Sequence, residues 1–262
     1  MNRFFTVNEK LDSHILVHIP HSSIYIPDSM SDDYLLSSSE LEEETKVMAD
    51  MFTDDLFGEA LREHGGLRLD VSRVFLDVER FRDDTLEPMA KRGMGLAYDK
   101  TSMLKDLRTL KYKDRILEIY DAYHATLDSL VEQKLLRHGK CLIIDCHSFP
   151  SKPRPYQIKT DYNHIDICIG FEDFHKDTTT VDIFTDSFHK EGYAVEYNNP
   201  YSGSMVSNKH YGKDKRVKSV MIELNRRIYM DDVATFTKNE NYQKVKSIIE
   251  QSFMTPPVKH YI

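Results

Sequence analysis

Leu142-Ile143-Ile144-Asp145-Cys146-His147-Ser148-Phe149-Pro150 reads as a buried β-strand that stops abruptly. The run Cys141 to Ile144 is short, apolar and partly β-branched, the composition of a strand covered on both faces. Gly139 precedes it and Pro150 closes it, so both ends are punctuated. Strands of this kind build open α/β sheets, in which ligands bind beyond the carboxyl ends. Asp145 and His147 stand at that end, two apart, and therefore share a face of an extended segment. The carboxylate could orient the imidazole or tune its basicity. A plainer alternative is that Asp145 caps a turn and His147 is a satisfied surface histidine.

A second strand repeats the arrangement. Ile15 to Ile19 can extend, Pro20 ends the run by removing a ladder donor, and His21 follows at the junction with a loop. Two strand ends that each deliver a histidine are harder to dismiss than one. His18 lies inside its strand and is read as a packed or pairing residue.

Further out, serines 37–39 with Glu40 form a helix start, and an apolar stripe of Val47, Met51, Leu56 and Leu61 predicts helix to about His64. Most acids of this stretch belong to a solvated face, but Asp50 borders the stripe and is the ligand candidate. Gly65-Gly66 ends the helix, and Leu67 to Val71 is a strand. Arg73, Asp77 and Arg80 are embedded among Val, Phe and Leu, so they need partners. Asp77 with an arginine could simply hold a loop, or could leave one guanidinium to grip a carboxylate. Residues 82–98 read as a loop or lid. A helix is expected from about Leu107 to Arg137, with His124 on its core face. Asp166–Gly170 and Val195–Tyr197 read as strands around a helix at Thr179–Lys190, followed by a donor-rich turn from Asn198 to Ser204. Ser219 to Arg227 is a strand whose apolar run contains Glu223, an acid expected to be paired or catalytic. Phe236 to Phe253 reads as a terminal amphipathic helix.

Strands alternating with helices define an α/β class. With 262 residues, 40% hydrophobic and 30% charged, residues 1–262 are expected to form a single domain with a sizeable core. A formal net charge of -8 gives no support for nucleic acid as a partner. No apolar run approaches the roughly 18 residues of a membrane span, and no signal peptide is evident, so a cytoplasmic protein is expected. The three cysteines, Cys141, Cys146 and Cys168, lie in or beside apolar segments without a CxxC pair, which suggests reduced thiols and argues against a cysteine zinc site. The twelve histidines direct attention to histidine–carboxylate metal chemistry instead. Nothing here fixes an oligomeric state.

Two histidines, an acid from the early helix, a buried acid near the end and several arginines outline metal-assisted amide hydrolysis. Zinc, or another divalent ion, held by two nitrogens and one carboxylate keeps an open position, activates water and polarises a carbonyl. A glutamate can then carry the proton to the leaving amine. The competing readings are a non-catalytic binding protein for an anionic metabolite, and a metal-free hydrolase using Ser148 or Cys146. No GxSxG elbow surrounds either residue.

The ordered set Pro20-His21-Ser22-Ser23 with Pro27, Arg73…Asp77…Arg80, Tyr123-His124…Leu127, His138-Gly139 leading to Asp145-Cys146-His147-Ser148, Asp166…Gly170, Asn198…Gly203, and Glu223-Leu224-Asn225 with Tyr229-Met230 resembles the N-formylglutamate amidohydrolase family. The resemblance implies a three-layer α/β/α fold with a mixed central sheet, phosphorylase/hydrolase-like, similar to zinc carboxypeptidases and aspartoacylase-like deacylases. It implies a zinc-dependent hydrolase acting on a small anionic N-formyl or N-acyl amino acid. His21 and His147 would then be metal ligands. Carboxypeptidase-like sites place a glutamate three residues after the first histidine; Ile24 stands there, so the third ligand is assigned to Asp50, with Glu44 as the alternative. Glu223 would be the general base and Arg73 would serve the reaction centre. Arg73 and Arg80 would bind substrate carboxylates, with Asn198, Arg226 and Arg154 as further contacts. Glu79-Arg80 occupies the place of an expected Asn-Arg, and Asn225-Arg226-Arg227 is unusually basic. Both departures bear on the substrate.

Overall fold

A computed structural model describes residues 4–158 and 161–255. The first half contains strands β1 (Phe5–Asn8), β2 (Ile15–Ile19) and β3 (Gly66–Leu69), with helices α1 (Ser38–Met48), α2 (Thr53–Leu56) and α3 (Gly58–His64) between β2 and β3. Helix α4 (Lys113–His138) leads into β4 (Cys141–Phe149). The remainder comprises β5 (Ile167–Gly170), α5 (Thr178–Lys190), β6 (Val195–Tyr197), β7 (Val217–Asn225), a small hairpin of β8 (Met230–Asp231) and β9 (Thr237–Lys238), and α6 (Tyr242–Met254).

One seven-stranded sheet runs in the order β1-β3-β2-β4-β7-β5-β6. β3, β2, β4 and β7 are parallel neighbours, whereas β1 and β5 pair antiparallel with β3 and β7. The sheet is therefore mixed, as the sequence reading anticipates. Side-chain alternation sorts its two faces. Val17, Ile144 and Ile222 pack against Leu56, Phe184 and Ile249, from α2, α5 and α6. Leu16 and Ile143 pack on the other face against Ile116, Tyr123 and Leu127 of α4. Ile143 and Ile144 are both fully buried, and truncating either to alanine costs about 2–5 kcal/mol.

The same alternation aims the chemistry. His18, Asp145, His147 and Glu223 occupy the α4-side parity, opposite the apolar residues that neighbour them in sequence. His18 pairs in register with Asp145, and His147 with Glu223. β3 approaches β2 very closely at Gly66, where a Cβ would stand 1.9 Å from the Val17 carbonyl oxygen, so only glycine fits.

Three element boundaries differ from the sequence reading. The early helix is not continuous to His64: it stops at Met48, and Phe52 enters the left-handed region at φ 69°. Tertiary partners override the periodicity there. The Asp50 amide donates to the His21 carbonyl at 2.9 Å, and an Arg226 Nη1 donates to the Val47 carbonyl at 2.8 Å. Helix α4 starts at Lys113 rather than Leu107, because Leu107 bridges the Asp99 carbonyl and the Leu35 amide, each at 2.9 Å. Asp33 also holds the turn at Thr109 and Lys111. Helix α6 starts at Tyr242, since Phe236 has a φ of 52° and the two residues after it pair with β8. The edge strand β1 has no counterpart in the sequence reading; its four residues are only half-buried and its apolar pattern is short.

Ser37 caps α1 in a reciprocal pair with Glu40, and Gly139 ends α4 in the left-handed conformation, both as read from the sequence. The three cysteines are buried, and none forms a disulfide. No helix among the described residues is long and apolar enough to cross a membrane.

Candidate metal centre

The carboxyl ends of β2 and β4 bring His21 and His147 together, with ring centroids 5.1 Å apart. The break after α1 inserts Asp50 between them. Asp50 Oδ2 lies 3.1 Å from His147 Nδ1 and 3.7 Å from His21 Nδ1. All three residues are buried. Glu44, the alternative acid, is used elsewhere: its carboxylate accepts from the amide and hydroxyl of Ser102.

Each histidine is held by its far nitrogen. His21 Nε2 donates to Asp77 Oδ1 at 2.9 Å, and His147 Nε2 donates to Asp145 Oδ1 at 2.9 Å. Asp145 Oδ1 also receives His18 Nδ1 at 2.7 Å, and Tyr123 Oη stands 2.8 Å from His18 Nε2. His18 is thus the pairing residue the sequence suggested. Carboxylates behind histidines fix ring orientation and raise the basicity of the opposite nitrogen. His21 Nδ1 has no hydrogen-bond partner although the residue is only 1% exposed. A buried nitrogen left unpaired, facing an imidazole and a carboxylate, is what a cation site requires of its donors.

The arginines divide into committed and open groups. Arg73 Nη2 donates to Asp77 Oδ2 at 2.8 Å and Nε to Tyr98 Oη at 3.1 Å, while Tyr98 donates its own hydroxyl to Asp77. Arg226 is fully engaged by Asp50 Oδ1 at 3.1 Å, the Val47 carbonyl and Ser148 Oγ. Arg80 reaches Asp77 only at 3.6 Å, and its Nε has no hydrogen-bond partner. These three arginines line a cavity of about 430 Å³ together with His21, His147 and Glu223. Asn198 and Arg154 do not line it. The Asn198 side chain instead accepts from the Phe171 and Gly203 amides, shaping the turn beside it.

Electrostatics follow from these contacts. Burial opposes ionisation of Asp77, but Arg73, His21 and Arg80 more than offset it and hold its carboxyl well below the usual range. Burial also disfavours a charged His147, yet Glu79 and Asp145 raise it well above an ordinary histidine. Glu223, beside His147 on the neighbouring strand, is 7% exposed and its Oε2 has no partner. Burial pushes its carboxyl up to about 8, against the pull of His147 and with the help of Asp50 and Glu79.

Two groups at the centre were not singled out as site residues from sequence. Glu79 was noted only as a departure from the expected asparagine, yet its Oε1 lies 3.1 Å from His147 Nε2. Tyr123 lies on the core face of α4, and its hydroxyl continues the chain through His18 to Asp145. Only charge embedded in the Phe75–Arg80 run hinted at the first; nothing in a helical stripe distinguishes the second. Ser148 serves Arg226, and Cys146 faces the opposite core with its thiol pushed well up by burial. Neither is placed as a nucleophile.

The profile of the N-formylglutamate amidohydrolase family matches residues 13–230, most of the chain. The chain belongs to the N-formylglutamate amidohydrolase family. Among solved structures, an N-formylglutamate amidohydrolase from Ralstonia eutropha JMP134 superimposes with a TM-score of 0.81 at 22% identity, covering 98% of this chain and 99% of that one. A gene product of Agrobacterium tumefaciens gives a TM-score of 0.63 at 16% identity, covering 97% and 95%. These likenesses establish the mixed α/β fold. No curated protein matches the sequence. Membership in an amidohydrolase family makes the chain a hydrolase, and the matched span contains all of His21, Asp50, Asp77, His147 and Glu223.

Proposed function

We propose that this protein is a metal-dependent hydrolase that cleaves the amide bond of an N-formyl or N-acyl amino acid, N-formylglutamate-like in kind, with zinc as the resident ion. The observation that carries the proposal is the orphaned Nδ1 of His21, buried beside Asp50 Oδ2 and His147 Nδ1. His21, Asp50 and His147 would hold the ion, a two-nitrogen, one-carboxylate set that suits zinc. When bound, the ion would polarise the scissile carbonyl and make water acidic enough to attack near neutral pH.

The chain's own residues supply the rest. Glu223 Oε2, unpaired and lining the cavity, accepts a proton from the attacking water when its carboxyl is ionised and returns it to the amide nitrogen. A carbon–oxygen bond to water forms, the carbon–nitrogen bond breaks, and the amine leaves neutral. Arg73 is pinned by Asp77 and Tyr98, so its guanidinium stands fixed at the cavity to stabilise negative charge developing on the carbonyl oxygen. Arg80 lines the cavity and makes only a long contact to Asp77, through Nε at 3.6 Å, so its guanidinium remains able to grip the carboxylate of the amino-acid portion. Arg226 acts through Asp50, which it holds in place.

The test is hydrolysis of a panel of N-formyl, N-acetyl and N-succinyl amino acids by protein loaded with zinc. Turnover of at least one anionic N-acyl amino acid is expected. Binding of such compounds without any turnover would indicate a non-catalytic receptor and overturn the proposal.

A further inference from the structure

Glu79 occupies a place that the amide-hydrolysis scheme does not use. Its side chain is 19% exposed, and its Oε2 lies 3.7 Å from the orphaned His21 Nδ1. Asp50 Oδ2 lies at the same 3.7 Å from that nitrogen. Two donors each about 2.0–2.2 Å from one ion sit roughly 3–3.6 Å apart, so both carboxylates flank His21 Nδ1 at close to a ligand-to-ligand spacing. The other Glu79 oxygen contacts His147 Nε2 at 3.1 Å and lies 3.9 Å from His18 Nδ1. Among the described residues, imidazoles are the only charged partners within ion-pair distance of this carboxylate; no lysine or arginine neutralises it.

Its backbone is fixed as well. The Glu79 amide donates at 3.1 Å to Asp77 Oδ1, the same oxygen that orients His21. One carboxylate oxygen thereby places the histidine and the glutamate together, which is a built arrangement rather than an acid left in a cavity wall.

We propose that Glu79 is a fourth protein ligand of the cation, beside His21, Asp50 and His147. The inference rests on the metal reading above. A donor set of two nitrogens and two carboxylates carries an extra negative charge compared with a three-ligand site. It favours divalent ions that accept five or six ligands, such as Mn²⁺ or Co²⁺, more than a three-ligand site would.

The experiment is titration of metal-free full-length protein with Zn²⁺, Mn²⁺ and Co²⁺, following heat on binding and the visible spectrum of the Co²⁺ form. Glu79→Gln is isosteric, and Glu79→Asp keeps the charge but shortens the reach. Both should bind divalent ions at least about 10-fold more weakly and change the Co²⁺ spectrum. Mn²⁺ affinity should fall more than Zn²⁺ affinity. Glu172→Gln, a cavity carboxylate that accepts from Tyr211, should change neither. Unaltered affinities and spectrum in both Glu79 variants, with far-ultraviolet circular dichroism showing the native fold, would overturn this inference while leaving the three-ligand site intact. Wild-type protein that binds none of the three ions would overturn both.

Discussion

His21 and Asp77 are joined by a single hydrogen bond of 2.9 Å between Nε2 and Oδ1, and this bond leaves the opposite nitrogen of His21 buried and open toward Asp50. The same aspartate holds Arg73 and the backbone of Glu79. Asp77→Asn should therefore do two separable things. It should weaken divalent-ion affinity about 10–100-fold by loosening the ring. It should also destabilise the metal-free protein by about 3–5 kcal/mol, because Arg73 loses its buried counter-ion. Calorimetric metal titration and urea unfolding read the two effects independently.

Glu223→Gln should lower kcat about 10²–10⁴-fold while leaving bound metal in place, since Glu223 meets no ligand by hydrogen bond and its Oε2 is unpaired. Single-turnover assays paired with elemental analysis check it. A variant that keeps wild-type turnover would remove Glu223 from the proton path.

Arg226 secures Asp50 and the last turn of α1 at once, through Asp50 Oδ1 and the Val47 carbonyl. Arg226→Met should strip Asp50 Oδ1 of its 3.1 Å cationic partner while His147 and the more distant Arg73 remain beside the carboxylate, costing about 1.5–3 kcal/mol. Hydrogen exchange should show faster opening at residues 47–50 than elsewhere, which a general loss of stability would not produce.

Acid sensitivity has a separate source in His14, which lies away from the metal centre. Burial, with Lys140 nearby, lowers its pKa to about 4 from the model-compound 6.5. The unfolded chain therefore takes up a proton at this position below pH 6.5, and the folded chain does so only near pH 4. Its contribution is intact above pH 6.5 and is lost progressively as the pH falls toward 4. His14→Gln should flatten the Tm-versus-pH curve within that window and change little above it.

Much of this architecture was legible because the chain's core strands are short, punctuated and uniformly apolar. Ile15–Ile19 and the Cys141–Phe149 strand announce both the sheet and the two histidines at its carboxyl end. Asp50 was found through its border position on an apolar stripe, although the helix that carried the stripe breaks just before it. The break depends on Arg226, which lies 176 positions away along the chain, and no local pattern reports such a partner. Glu79 and Tyr123 stayed hidden for the same reason, because their roles exist only where the ends of several strands converge. The resemblance implies Asn198 as a substrate contact, but its side-chain oxygen accepts from the Phe171 and Gly203 amides and shapes the turn.

The most direct test is the metal content of purified wild-type protein beside His21→Ala, Asp50→Ala and His147→Ala, measured by elemental analysis after exhaustive dialysis. One divalent ion per wild-type chain is expected, with at least a tenfold drop in each variant and chelator-sensitive hydrolysis in the wild type. Hydrolysis that persists undiminished in metal-free wild-type protein would contradict the central claim.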